Sequence, residues 1–169
     1  MNIRKILIAA AMTAVALPGP ANAAPIPATT DASGKALILI PLTLTKVDDL
    51  DFGTVIPSAA SGTISIAPDG SGQSFTGGVT PVASVPAKRG LFAGAGAANQ
   101  QVSIFLAPPA SLSDGAGHSM PISLNVDSSS VMIDSTRAFF VGVGGTVTVG
   151  ANQFEGVYSG TFTVLAQYN

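Results

Sequence analysis

The 169-residue sequence has no cysteine, no tryptophan, one histidine and only 9% charged residues. Without cysteine there is no disulfide, no thiol nucleophile, and no Cys-ligated zinc or iron–sulfur centre. The one histidine, His118, lies in the Gly-rich turn Ser113–Ser119 with no second histidine beside it to complete a metal site. No G-x-S-x-G elbow exists to make it the partner of a serine nucleophile. It reads as a solvated loop residue, so no catalytic residue, metal or cofactor is expected. Basic residues are equally sparse. Beyond the N-terminal leader they are scattered, with only Lys88 and Arg89 adjacent, which excludes a nucleic-acid surface.

The leader itself is legible. Arg4 and Lys5 precede an uncharged run from Ile6 to Leu17, which Pro18-Gly19-Pro20 ends, and Ala21-Asn22-Ala23 supplies small residues at the −3 and −1 positions. This is the pattern of a secretory signal peptide over 1–23, too short to span a bilayer. Its removal from the 169 residues leaves 146, with five basic and nine acidic side chains. The expected destination is the periplasm in transit and then the cell surface or medium. No cysteine follows the run to carry a lipid, and no later apolar stretch of about 18 residues provides a transmembrane segment.

What remains is strand material. Ala24 to Lys35 is small and Pro-rich and reads as an extended arm, followed by a domain over 36–169. The run Ala36–Thr45 is β-type but contains Pro41, which suits an edge or a bulge. Period-2 alternation bounded by Gly, Pro, Asp and Ser marks further strands at Leu50–Val55, Gly62–Ala67, Gly90–Ala95, Gln101–Leu106, Ile122–Asp127, Phe139–Val143, Gly145–Val149 and Val157–Tyr168. Short strands with turns every 8–12 residues, and no helical period, predict an all-β sandwich.

The final strand is the most informative. Gly156, Tyr158, Gly160, Phe162, Val164, Ala166 and Tyr168 fall on one face, large and apolar apart from the glycines, while the opposite face is mostly polar. Such a strand buries one face. Its outer edge either pairs within the chain or offers unpaired N–H and C=O groups to another strand.

Other features have bland readings. Asp48, Asp49 and Asp51 cluster, but a strand sends Asp48 to the face opposite Asp49 and Asp51, short of the six to eight oxygens calcium takes; a solvated strand entrance is expected. Gly142, Gly144 and Gly145 interrupt β-type sequence and suggest bulges or a tight hairpin. Phe139 and Phe140 send one ring to each face of a strand.

The C-terminal residues resemble the closing motif of chaperone–usher pilins: Tyr168 is penultimate and Gly156 is fourteenth from the end. Leu50-Asp51-Phe52-Gly53, Ser61-Gly62-Thr63-Ile64, Pro68-Asp69-Gly70, Val143–Val147 and Gly156–Phe162 resemble, in that order, the secreted domain-of-unknown-function 4402 family, related to spore coat protein U-like and archaic pilin domains. The resemblance implies an immunoglobulin-like sandwich lacking its last strand, which neighbouring copies or related subunits fill. It also implies a periplasmic chaperone and an outer-membrane usher as partners in export, and a fibre or coat subunit serving adhesion or biofilm. Ala36, Ile38, Ile40, Leu42 and Leu44 alternate and are either the donor strand or the domain's own first strand. The alternative is a self-complete secreted sandwich that binds a carbohydrate or protein ligand through its loops.

Overall fold

The computed structural model describes residues 33–169; the expected signal peptide, 1–23, and all but the last three residues of the expected arm, 24–35, lie outside them. Every regular element among the described residues is a strand: β1 (Thr43–Asp48), β2 (Val55–Ile66), β3 (Gln73–Pro81), β4 (Gly90–Ala95), β5 (Gln101–Ala107), β6 (Ser111–Ser113), β7 (Ser119–Val126), β8 (Ser130–Met132), β9 (Ala138–Val149) and β10 (Thr163–Tyr168). They form two antiparallel sheets, a β-sandwich. The larger runs β1-β4-β9-β2-β3, with β7 on β9 and β6 on β7; the smaller runs β10-β5-β8.

β9 organises the larger sheet. Its 12 residues reach about 40 Å at 3.3 Å per residue, enough to pair with β4 through Ala138–Val143 and with β2 through Gly145–Val149. β7 pairs with Val143–Val147. The three glycines lie in this unbroken strand and form neither a bulge nor a hairpin. They mark the handover from β4 to β2, where a Cβ at Gly142 would collide with the Pro68 carbonyl and one at Gly144 with that of Ile66.

The main core lies between the sheets. Val102 and Ile104 of β5, with Ile133, meet Phe139 and Val141 of β9, all essentially closed to solvent. Leu42, Leu44, Phe92, Val164, Ala166 and Tyr168 close around them. Phe139 is 3% exposed and its neighbour Phe140 is 60% exposed, as strand alternation requires. A second core of Ile64, Val79 and Val149 lies towards β2 and β3, with Phe52, Phe75 and Met120 packed on it.

Gly62–Ala67 is the end of a strand that starts at Val55, Ile122–Asp127 starts at Ser119, and Phe139–Val143 and Gly145–Val149 are one strand; three other expected strands are shortened or lost. β1 starts at Thr43 and not at Ala36, because Pro41 has no N–H for a ladder and Leu37–Ile40 join no strand ladder. Leu50–Val55 is mostly a loop, held by the isolated pairing of Asp51 with Lys88; Asp51 also accepts the Gly53 N–H at 2.8 Å. The last strand begins at Thr163 and not at Val157. It pairs with β5 from Thr163↔Ala107 to Tyr168↔Val102. Beyond Ala107 the partner chain is Pro108-Pro109, which offers no N–H groups, so the ladder breaks and resumes only at Ser159↔Ser113.

Candidate functional site: an open groove between two strand edges

β1 and β10 are the outer strands of their sheets and lie against each other without pairing. Both send alternate side chains into one core: Leu44 from β1, and Val164, Ala166 and Tyr168 from β10. At one end Tyr168 closes the gap. Its hydroxyl donates to the Ile40 carbonyl at 3.0 Å and accepts the Ala97 N–H at 2.7 Å.

The hydrogen-bond alternation identifies what these edges offer. The Asn169 N–H donates to Gln101 O at 3.1 Å, so the odd-numbered residues of β10 face β5. Val164, Ala166 and Tyr168 therefore direct their N–H and C=O groups to the open edge. On the other side, Gly96 N–H donates to Arg137 O at 3.0 Å. That places the β1–β4 bonds at Thr43 and Thr45 and leaves Leu44 and Lys46 facing outward. Two unpaired edges thus face one gap, floored by apolar side chains.

Away from Tyr168 the gap widens into a chamber of about 660 Å³. Phe52, Leu112, Met120, Ile122, Val147 and Phe162 line it, between a wall of Leu50–Thr54 and a wall of Gln153–Phe162. The Phe162 ring meets Phe92 edge-on, with centroids 6.1 Å apart.

The Gly150–Phe162 wall is irregular and is held by side chains. Gln153 donates to the Tyr158 hydroxyl at 2.8 Å, and that hydroxyl donates to Phe154 O at 2.9 Å. Gly150 N–H reaches Gln153 Oε1 at 3.1 Å, Asn152 N–H reaches Ser58 O at 2.8 Å, and Asn152 takes a left-handed φ of 51°. The His118 ring stacks on Phe154 with centroids 4.1 Å apart, and its Nδ1 lies 2.5 Å from Asp114 Oδ2. That hydrogen bond holds the Asp114 carboxyl below the usual carboxylate range.

Among the residues singled out in the sequence, Tyr158, Phe162, Val164, Ala166 and Tyr168 keep the inward alternation, although only the last three lie in a strand. Gly156 is beside Asp114, and Gly160 is beside Leu112 and Pro109. Leu42 and Leu44 belong to the domain's own core, whereas Leu37, Ile38 and Ile40 are 74%, 92% and 42% exposed. Asp49 pairs with Lys46 at 2.6 Å, and no group of three His, Asp or Glu side chains among the described residues forms a metal site. Sequence reasoning did not anticipate the chamber, because its lining comes from segments about 110 residues apart.

The architecture is an all-β sandwich with a gap between two free strand edges. The domain of unknown function DUF4402 matches residues 42–168, from the residue before β1 to the end of β10, and the chain belongs to that family. Neither a curated protein nor a solved structure matches it. No helix among the described residues is long and apolar enough to cross a membrane.

Proposed function

We propose that this chain is an exported structural subunit of a surface fibre or coat, assembled by β-strand complementation at the β1/β10 groove. The fold is then an immunoglobulin-like sandwich with one strand supplied from outside, as in pilin-like and spore coat protein U-like domains. Neighbouring copies or related subunits are the partners, and a chaperone and usher handle the chain in transit.

The observation that carries this reading is the difference among the sheet edges. Proteins blunt exposed edges with charge, proline, bulges or shortness. β1 carries Lys46 and Asp48, the only charged residues in any of the ten strands. β3 pairs with β2 across a register shift in which β2 carries the extra residues; it has Gly77 at a φ of 64° and ends in Pro81. β8 has three residues. β10 has none of these defences, and Phe162, the residue before it, lines the chamber.

An incoming strand gains backbone bonds from both edges and buries alternate side chains in the gap, the physics of β-augmentation. The exposed Leu37, Ile38 and Ile40 of a neighbouring copy supply side chains of the required kind. A donor that enters head to tail does not close a ring and produces a filament.

The test is the state of the chain purified from a periplasm, by size exclusion with light scattering and by gels with and without boiling. A ladder that collapses only on boiling is expected. A monomer at every concentration contradicts the proposal.

A further inference from the structure

The chamber walls carry charge of one sign. Each contributes one exposed carboxylate, Asp51 from Leu50–Thr54 and Glu155 from Gln153–Phe162, and no lysine, arginine or histidine is part of the lining. The ion pairs among the described residues, Lys46 with Asp49 and His118 with Asp114, use neither of the two. Beside these carboxylates the lining is incompletely covered: Val85, Phe154 and Val157 are 44%, 65% and 87% exposed.

The complementary chemistry occurs at one place in the sequence. Lys35 is the only charged residue between Asp31 and Lys46, and it stands directly before Ala36-Leu37-Ile38-Leu39-Ile40. Lys35 is exposed, as are Leu37, Ile38 and Ile40. An extended segment sends alternate side chains to opposite sides. Here both sides are apolar as far as the lysine, which suits a chamber with a wall on each side. This segment does not serve the chamber of its own domain. The Tyr168 hydroxyl holds the Ile40 carbonyl at the closed end of the gap, and none of Leu37–Leu42 lines the chamber.

We infer that Lys35–Ile40 of a second copy fills the chamber, with Lys35 lying between Asp51 and Glu155 of the receiving chain and setting the register. The inference deepens the function proposed above and rests on it. That reading needs only some donor strand, whereas this one fixes which residues enter and which charge stops them. The apolar run cannot fix its own register, because a slip of two residues still buries Leu and Ile on the same faces. A lysine drawn into an apolar site without a partner is costly, so a slip inward is penalised. Between two carboxylates the same charge is satisfied, and complementary charges set register and partner choice more than raw affinity.

The chain has no cysteine, so introduced thiols report single contacts. Lys35→Cys and Glu155→Cys chains, purified separately from a periplasm, are mixed for assembly and oxidised, and linked peptides are identified by mass spectrometry. A disulfide between the two chains is expected, with none when Phe140→Cys, on the outer face of β9, replaces Glu155→Cys. Lys35→Glu should raise the concentration needed for assembly about tenfold, and adding Glu155→Lys should recover most of that loss. Assembly without the Lys35→Cys to Glu155→Cys link, or equal linking to Phe140→Cys, overturns the inference and leaves strand complementation standing. So does parent-like assembly of Lys35→Glu, or no recovery in the double variant. A link formed within one chain carrying both cysteines shows a self-filled chamber and overturns the second copy as occupant. A parent chain that never assembles overturns the inference and the proposed function together.

Discussion

The Tyr168 hydroxyl and the Ile40 carbonyl, 128 positions apart and 3.0 Å from each other, tie the tip of β10 to the residues that lead into β1. This bond marks where the domain ends: Leu42 packs inside it and Ile38 stands outside, 92% exposed. Tyr168→Phe leaves the Ala97 N–H and Ile40 carbonyl without this partner and should cost about 1–2 kcal/mol. Thermal unfolding should show a midpoint several degrees lower, and limited proteolysis should cut faster between Leu37 and Leu42. An unchanged midpoint and cleavage rate would remove the clamp from the account.

Phe139 and Phe140 are adjacent and have opposite fates. Phe139→Ala empties the space between the sheets and should cost about 3–5 kcal/mol. Phe140→Ser alters an exposed position and should stay within about 0.5 kcal/mol. Denaturant unfolding of the two variants checks the assignment of faces. Equal losses would reverse it.

Phe162 lines the chamber, whereas Leu165 points away from the core beside Phe105 on the outer sheet face. An unpaired charge in an apolar site is costly, so Phe162→Asp should abolish assembly. Leu165→Asp should fold and assemble like the parent, because its carboxylate remains in water. Light scattering of both variants separates groove from outer face, and loss of assembly in Leu165→Asp would shift the interface there.

Three carboxyls are held below their usual range: Asp69 by the Ser71 N–H and hydroxyl, Asp114 by His118, and Asp134 by the Thr136 hydroxyl and N–H. A carboxyl depressed in the folded state contributes stability above its unfolded value, and that contribution disappears as pH falls through the folded one. Stability should therefore hold from neutral pH down to about 4 and decline below it. Denaturant midpoints at a series of pH values test this; no decline below pH 4 would contradict it.

Much of the fold was legible because local pattern and tertiary structure agree. Gly90–Ala95 is a strand with the expected bounds, and the alternation of Val164, Ala166 and Tyr168 points inward as read. β3 was not legible: Gln73-Ser74-Phe75-Thr76-Gly77-Gly78 carries little apolar signal, and only Val79 is deeply buried. Its existence depends on pairing with β2. The late start of β10 depends on Pro108-Pro109 in a different segment. The approach of His118 to Phe154, 36 positions away, is a product of tertiary packing that no local spacing encodes.

The central claim is that the open edge of β10 accepts a strand. Residue-resolved amide exchange on the separated and assembled chain tests it most directly. Assembly should slow exchange at Val164, Ala166 and Tyr168 by orders of magnitude and should also protect Leu44 and Lys46. Thr163, Leu165 and Gln167, already bonded to β5, should change little. An assembly in which Val164, Ala166 and Tyr168 exchange as fast as in the separated chain would contradict strand complementation at this groove.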